Sequence, residues 1–300
     1  MQAPSIGLPL PPPEGTSMLP AGTFAGKVVA VTGGGTGLGK AFGLEFARLG
    51  ATVAILSRNE EHRQRGVRAI ESVGGKAIQA PLDVRDAPAV AAAFDAIESM
   101  AGPVDILLNN AAGNFPVPAE DLTPNGFRTV VEIDLQGTFN CSREMARRAI
   151  AAGRTGAILN IGSPTYHGGG PGLAHVAAAK AGVHNLTYSL AVEWAPYGIR
   201  INALVPGFFP HEDLPKDVLA ANVGDSGGGN TPALRLGMPH ELAWAATYLC
   251  SPFASMVTGS IFVVDGAMSL AHGPRPAAFT PVREQLGRGP FKAATSRTPP

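Results

Sequence analysis

The sequence predicts an α/β fold with a single domain, in which a seven-stranded parallel sheet lies between two layers of helices. Short apolar and β-branched runs recur along the chain, and longer segments with helical spacing of apolar residues separate them. A glycine-rich turn follows the first of these runs. The 300 residues are 45% hydrophobic and only 15% charged, which is enough apolar material for a well-buried core.

The predicted strands are nearly continuous apolar runs. Such runs are typical of strands buried on both faces, as in a parallel sheet covered by helices. Helical spacing is clearest in residues 38–49 and 87–100. Because the strands leave little room for a second domain, we predict one doubly wound domain over residues 24–272. The seven predicted strands are residues 27–32, 52–57, 76–84, 105–110, 156–162, 199–207 and 260–266.

The two ends of the chain differ from the middle in composition. Residues 1–23 are rich in proline, glycine and small residues, and residues 273–300 repeat this composition with Arg and Lys added. Segments of this kind favour extended or loosely attached conformations. We therefore expect an N-terminal extension and a C-terminal tail on either side of the domain.

Composition also argues against several classes of protein. Lys+Arg and Asp+Glu number 23 each, so the formal net charge is zero and no basic excess suggests nucleic-acid binding. The apolar runs are too short to span a membrane, and the N-terminus lacks the pattern of a signal peptide. Cys141 and Cys250 lie in helix-like segments without partners at metal-binding spacing. We expect reduced core thiols, no metal site and a cytoplasmic protein.

The turn after the first predicted strand has the pattern of a phosphate-binding loop. It carries Gly33, Gly37 and Gly39 and leads directly into a helix. In a Rossmann-type domain these glycines permit a sharp turn, close approach to a pyrophosphate and tight helix–strand packing, while the helix N-terminus attracts the phosphates. A ligand-free glycine turn is the alternative, but the strand and helix around it favour dinucleotide binding. Expected cofactor contacts here are Gly33, Gly35, Thr36, Gly37 and Leu38.

The end of the second predicted strand indicates which dinucleotide binds. An acidic residue in this place usually binds the ribose 2′-hydroxyl of NAD, but Ser57 and Arg58 stand here instead. Both can bind a 2′-phosphate, so we expect NADPH, although Arg58 could also be a solvated cation at a helix start. Asp83 and Val84 are expected at the adenine edge, with a helix N-cap as the alternative for Asp83.

Several motifs in sequence order resemble the short-chain dehydrogenase/reductase superfamily over residues 24–270. They are the glycine turn, the run 109–113 after the fourth predicted strand, Ser163, Lys180 and Pro206-Gly207. The resemblance implies a Rossmann-type fold and an oxidoreductase. It places the cofactor against Asn110, Ala111, Ala112, Gly113, Lys180, Pro206 and Gly207.

One departure from the superfamily pattern narrows the function. Ordinary members carry a tyrosine four residues before the active-site lysine, where this chain has Val176, which has no proton to give. The helix position of the usual catalytic asparagine holds Asp134, which could act as an internal hydrogen-bond anchor for the active-site helix rather than as a base. Alcohol or ketone chemistry by the usual four residues is therefore not expected.

The same departures resemble the 2,4-dienoyl-CoA reductases, which also lack that tyrosine. The shared segments are 109–115, Thr165-Tyr166 and 177–180. The resemblance implies that Tyr166 and Asn114 bind the thioester carbonyl of an unsaturated acyl-CoA and that Lys180 binds the nicotinamide ribose. Two neutral donors aimed at the acyl oxygen would stabilise the charge that develops there. Tyr166 could instead be a packed loop aromatic, and Asn114 a turn residue.

Other residues near these motifs have less specific patterns. Ser163 could contact substrate or cap the backbone, and the two roles are equally supported. His175 could face the cleft, but an exposed histidine at a helix start is favoured. Segment 208–237 is interpreted as a substrate lid, with a passive surface loop as the alternative. Expected substrate contacts are Phe115, His175, Val176, Phe208 and Phe209.

The sequence is consistent with three functions. The first is NADPH-dependent reduction of an unsaturated acyl-CoA in fatty-acid β-oxidation. The second is oxidation or reduction of a carbonyl or hydroxyl substrate, and the third is cofactor binding without turnover. The family resemblance also implies a homotetramer assembled through residues 241–264.

Overall fold

Seven strands form the centre of the molecule in the computed structural model, which describes residues 7–214, 216, 219, 231–271, 283 and 286–288, with only the backbone of Tyr166 and His167. The strands are β1 Val28–Thr32, β2 Thr52–Ser57, β3 Lys76–Pro81, β4 Ile106–Asn109, β5 Gly156–Ile161, β6 Ile199–Pro206 and β7 Ile261–Val264. They form one sheet in the order β3-β2-β1-β4-β5-β6-β7, and every neighbouring pair is parallel. The predicted α/β class and seven-stranded parallel sheet are confirmed.

Helices connect consecutive strands and cover both faces of the sheet. Those of the described ranges are α1 Gly37–Arg48, α2 Glu60–Ser72, α3 Ala87–Ala101, α4 Pro124–Val131, α5 Gly137–Ala151, the four-residue α6 Thr165–Gly168, α7 Ala174–Trp194 and α8 Pro239–Cys250. Short 3-10 turns occupy Ala119–Asp121, Ala195–Tyr197, Pro252–Ala254 and Met268–Leu270. Within the described ranges, no helix combines the length and apolarity needed to cross a membrane.

The two faces of the sheet bury different side chains of the same strands. Val29 and Val31 pack with Phe42 of α1 and Leu242 of α8 on one face, whereas Val28 packs with α3, α5 and α7 on the other. This alternation explains why the strand sequences are apolar at every position. The crevice between β1 and β4 is where chain connections diverge to opposite sides of the sheet, which is the usual ligand position in this topology.

One predicted strand is shorter than its sequence suggested. Residues 76–84 were expected to be extended, but β3 ends at Pro81. Asp83 then forms a turn, because its Oδ1 accepts a hydrogen bond from the Arg85 amide at 3.1 Å and its carbonyl accepts one from the Asp86 amide at 3.1 Å. This turn sends residues 82–84 out of the sheet and towards the crevice.

The described part of the N-terminal extension is extended, and hydrogen bonds attach it to the domain. Residues 8–16 form a strap that runs along α8 and the segment before it. The Leu8 amide donates to the Ala233 carbonyl at 2.9 Å, and Trp244 Nε1 donates to the Thr16 carbonyl at 3.0 Å. Phe24, beyond the strap, is buried in the core.

The described residues of the C-terminal tail also contact the domain. Arg283 donates to Asp121 at 2.6 Å, and Arg288 donates to the same carboxylate at 3.3 Å. Residues 272–282 and 289–300 lie outside the described part of the chain.

Candidate functional site

A cleft of about 640 Å³ lies at the carboxyl ends of β1 and β4. The residues that line it come from separate segments spread along the chain from position 33 to position 268. The sequence-predicted residues that line it are Gly33, Thr36, Gly37, Leu38, Ser57, Arg58, Asp83, Val84, Asn110, Ala111, Ala112, Gly113, Asn114, Ser163, Val176, Lys180, Pro206, Gly207 and Phe208.

The glycine turn between β1 and α1 forms the floor of one end of the cleft. Gly33 and Gly37 have φ values of +64° and +51°, which glycine adopts without steric cost. A Cβ at Gly39 would overlap the carbonyl oxygen of Gly33, so this position needs glycine for packing. Gly35 was predicted to contact the cofactor, but it packs against the carbonyl of His62 in α2 and does not line the cleft.

The segment after β6 folds across this turn, which sequence reasoning did not foresee. Asp213 Oδ2 accepts a hydrogen bond from the Gly37 amide at 2.8 Å, and Arg65 of α2 contacts its other oxygen at 2.5 Å. Glu212 pairs with Lys40 of α1. The Asp213 carboxylate therefore accepts a hydrogen bond from a backbone amide at the N-terminus of α1 that would otherwise suit a phosphate. These contacts join residues more than 140 positions apart, so no local pattern could reveal them.

The residues expected at the adenosine end lie together at the ends of β2 and β3. Arg58 is 64% exposed, and its guanidinium lies 4.0 Å from Asp83. Asp83 is bound by Arg85 at 2.6 Å, and this hydrogen bond lowers the pKa of its carboxyl. The N-cap of α3 is Asp86 rather than Asp83, so the capping alternative for Asp83 is wrong.

Hydrogen bonds hold the end of β1 against the end of β4. The Thr32 hydroxyl accepts hydrogen bonds from the amides of Asn110 and Ala111, each at 2.9 Å. The Asn110 side chain donates to the Thr32 carbonyl at 3.0 Å. The middle of the cleft is thus fixed by side-chain-to-backbone hydrogen bonds between the ends of neighbouring strands.

A buried chain of amide side chains lies beneath the site. Asn109 donates to Asn160 at 2.9 Å and to Ser142 at 2.8 Å, and Asn160 donates to Thr187 at 2.9 Å. This chain ties β4, β5, α5 and α7 together. Sequence reasoning missed it, although an asparagine at the end of two apolar strand runs was an available signal.

Lys180 and Asp134 form a buried ion pair at the centre of the cleft. Lys180 Nζ donates to the Ile161 carbonyl at 2.8 Å and lies 3.5 Å from Asp134 Oδ2, while Asp134 Oδ1 accepts from the Gly113 amide at 2.6 Å. Burial raises the pKa of Asp134, and Lys180 partly opposes that rise. The expected anchoring role of Asp134 agrees with its bond to Gly113. A π-helical turn over Glu132–Gln136, between α4 and α5, carries Asp134 and was not predicted.

The position four residues before Lys180 presents an apolar surface to the cleft. Val176 is 5% exposed and lines the cleft on α7, one turn from Lys180. Ser163 also lines it, and its hydroxyl shares a hydrogen bond of 2.9 Å with Thr165. Asn114 is exposed at the cleft wall. Tyr166 lies in α6, but its side chain is outside the described part of the structure.

His175 was expected to be exposed, and the structure contradicts this. Its side chain is fully buried, with the Phe115 ring 4.5 Å away between ring centroids. The segment that carries Phe115 covers the start of α7, which a helical pattern alone cannot indicate. Burial lowers the pKa of His175. Phe115 itself is 40% exposed, and neither residue is among those that line the cleft.

The side chains of the two consecutive phenylalanines after β6 lie in different places. Phe208 lines the cleft, whereas Phe209 is buried in the core and packs on Gly237. Residues 215, 217, 218 and 220–230 of the predicted lid lie outside the described part of the chain.

The cleft fits a nicotinamide dinucleotide in shape and in donor set. A Cβ at Gly33 would meet the Asn110 side chain at 3.1 Å and one at Gly37 would meet the His211 ring at 2.9 Å, so only glycine lets the turn pack this closely against the neighbouring residues. The cleft then continues from Arg58 at one end to Lys180 and Pro206 at the other. This end-to-end arrangement matches a ligand with two separated sugars.

Comparisons with known proteins agree with this geometry. The family model described as enoyl-(acyl carrier protein) reductase matches residues 33–269. A probable 2,4-dienoyl-CoA reductase [(2E)-enoyl-CoA-producing] of Bacillus subtilis is 40% identical, over 81% of this chain and 97% of its own. A short chain dehydrogenase structure from Bacillus anthracis is 39% identical, with a TM-score of 0.75 over 83% of this chain and 99% of that chain.

A second solved structure was determined with a ligand. The gluconate 5-dehydrogenase from Burkholderia cenocepacia, in complex with NADP and tartrate, is 34% identical to this chain. Its TM-score is 0.75 over 83% of this chain and 97% of that chain.

Proposed function

The chain belongs to the short-chain dehydrogenase/reductase superfamily and is an oxidoreductase, and from this premise we propose that it uses NADPH to reduce 2,4-dienoyl-CoA thioesters. The B. subtilis relative carries that activity in its name.

The observation that carries the proposal is the apolar Val176 beside Lys180. A carbonyl reductase of this superfamily needs a proton donor at that position, and a buried valine side chain cannot supply one. Reduction of a conjugated thioester needs no proton on the oxygen at the hydride step, because charge is delocalised along the acyl group. The substitution therefore favours an unsaturated thioester over a simple ketone.

Several residues of the cleft can be assigned roles in the proposed reduction. When bound, NADPH would supply the hydride that goes to the distal alkene carbon of the dienoyl group. Negative charge develops on the thioester oxygen, and we assign Tyr166 and Asn114 as the hydrogen-bond donors to it. Such donors act most strongly in a site from which water is excluded. The proton that completes the reduction goes to carbon, from Tyr166 or from a bound water.

Lys180 and Asp134 position the reacting groups. Lys180 is held by the Ile161 carbonyl and by Asp134, which leaves one ammonium proton for the nicotinamide ribose. Asp134 neutralises the lysine and fixes the Gly113 amide, so the segment that carries Asn114 is anchored to the same carboxylate. Ser163 is assigned to substrate orientation, together with Val176 and Phe208, which also line the cleft.

Preference for NADPH is assigned to the end of β2. Ser57 and Arg58 both line the cleft there, and no acidic side chain precedes α2 where NAD enzymes place one. The Burkholderia neighbour is in complex with NADP. Arg58 is mostly exposed, so its guanidinium is available to a 2′-phosphate.

A substrate panel tests the proposal. NADPH oxidation is followed with 2,4-hexadienoyl-CoA, ketoacyl-CoAs and simple ketones, each compared with NADH. Turnover confined to the dienoyl thioester with NADPH supports the assignment. Turnover of ketones instead selects a carbonyl reductase, and NADPH binding without turnover of any substrate selects a cofactor-binding relative. Analysis of the double-bond position in the product identifies which carbon takes the proton.

We further propose a cytoplasmic homotetramer that acts in fatty-acid β-oxidation. Cys141 and Cys250 are buried thiols without a disulfide, which suits a reducing compartment. Phe262 and Val263 of the edge strand β7 are 39% and 40% exposed and lie within the expected interface 241–264. Light scattering tests the tetramer, and cell fractionation tests the location. The division into extension 1–23, domain 24–272 and tail 273–300 is part of the same proposal.

A further inference from the structure

A second cavity, of 220 Å³, lies beside the cleft beneath the segment that follows β6. Its apolar lining includes Leu8, Phe208, Phe209, Leu236, Val264 and Met268. Phe208 and Met268 line both the cavity and the cleft. The two spaces therefore adjoin at the end of the cleft that holds Pro206 and Gly207, where hydride transfer is proposed.

The polar side chains around this cavity already have partners. Arg235 and Glu241 form a two-point ion pair at 2.7 and 2.9 Å, and the Thr231 hydroxyl donates to the Gly266 carbonyl at 3.0 Å. Asp265 accepts from the amides of Ala267 and Ser269. A polar ligand would have to break one of these interactions, whereas an apolar one would not.

The N-terminal strap closes the cavity on its outer side. Leu8 lines the cavity and is 56% exposed, so this side chain separates the cavity from solvent. Its backbone is fixed by the bond to Ala233, and the next residue is fixed by Arg235 Nε, which donates to the Pro9 carbonyl at 2.9 Å. Ala233 and Arg235 both line the cavity, so the strap is attached directly to its wall.

We propose that this cavity binds the methyl-terminal part of the acyl chain and that Leu8 of the strap limits the chain length accepted. The inference rests on the proposed function, because the cavity shares Phe208 and Met268 with the cleft in which the dienoyl group is placed. An apolar ligand is indicated because the walls of the cavity are apolar and the polar side chains around it are already paired with other groups.

Two substitutions at Leu8 test this assignment. Leu8→Ala enlarges the cavity, and Leu8→Trp fills its outer side. Leu10→Ala is the matched control, since Leu10 lies in the same strap, is 72% exposed and does not line the cavity. The measured quantity is kcat/KM for 2,4-hexadienoyl-, 2,4-octadienoyl- and 2,4-decadienoyl-CoA in the full-length protein.

The ratio of decadienoyl to hexadienoyl activity is expected to rise about 10-fold in Leu8→Ala and to fall about 10-fold in Leu8→Trp, as for small changes in apolar pocket size. The Leu10→Ala ratio is expected to equal that of the parent. Active variants with an unchanged ratio would overturn the acyl-chain assignment and leave the reductase proposal intact. A parent protein that reduces none of the three thioesters would overturn both.

Discussion

The two ends of the cleft are constructed in different ways. At the cofactor end, the positive-φ turn at Gly33 and Gly37 and the hydrogen bonds from two backbone amides to the Thr32 hydroxyl fix the course of the main chain. At the substrate end, side chains from the segments after β4, β5 and β6 and from α7 define it, and Val176 replaces a reactive residue with an apolar one. Constraints on the main chain therefore maintain the shape of the cofactor site in this fold, while a few side chains that can be substituted set the chemistry.

The largest expected effect lies at the substrate end. Tyr166→Phe should reduce kcat with a dienoyl-CoA by about 10²–10³, because one donor to the developing oxyanion is lost. NADPH affinity should change little, since the hydroxyl acts on the acyl group. Steady-state kinetics and fluorescence titration of NADPH measure the two quantities. Tyr197→Phe, at an exposed tyrosine, is the control. If Tyr166→Phe lost NADPH affinity as much as kcat, Tyr166 would not act at the substrate end alone, and the proposed difference between the two ends of the cleft would be contradicted.

A second substitution tests the cofactor end. Gly39→Val should weaken NADPH binding by about 100-fold and lower the melting temperature, because its side chain overlaps the fixed carbonyl of Gly33. Calorimetry and NADPH titration give both values. Gly168→Ala is the comparison variant, since a Cβ there has no neighbour within 4 Å. Normal NADPH affinity in Gly39→Val would mean that the backbone constraint is weaker than the packing indicates.

A smaller effect is expected at the adenosine end. Arg58→Ala should weaken NADPH by about 10-fold and NADH much less, because only NADPH carries the 2′-phosphate that the guanidinium would bind. The measurement is the dissociation constant of each cofactor. A preference of the parent protein for NADH would contradict the assignment of Arg58.

The smallest effect concerns the segment that joins the two ends. Asp213→Asn should tighten NADPH binding about 3-fold, because removal of the carboxylate charge at the Gly37 amide reduces repulsion of the pyrophosphate. Glu212→Gln is the control, since Glu212 pairs with Lys40 and does not bind Gly37. Weaker NADPH binding in Asp213→Asn would show that the segment helps to hold the cofactor and does not compete with it.

The same contrast explains what could be predicted from sequence. The strands, the sheet and the glycine turn were predictable because burial on both faces and positive φ restrict the residues allowed there. Lys180 and Val176 were found through their spacing within one helix. The contact between Asp213 and Gly37, the π turn at Asp134 and the burial of His175 depend on segments distant in sequence, or on a local helix distortion without a signature. Gly35 was assigned to the cofactor because it lies in the motif, although its packing role is towards His62.

Leu8, the residue proposed to set chain length, lies in the strap along α8 and does not line the cleft proposed for the chemistry. Terminal segments tolerate sequence change more readily than strands of a central sheet. A single replacement at Leu8 can reshape the far wall of the cavity while Lys180, Asp134 and the glycine turn stay untouched. Diverging copies of such a chain could acquire new chain-length preferences by mutation within residues 8–16.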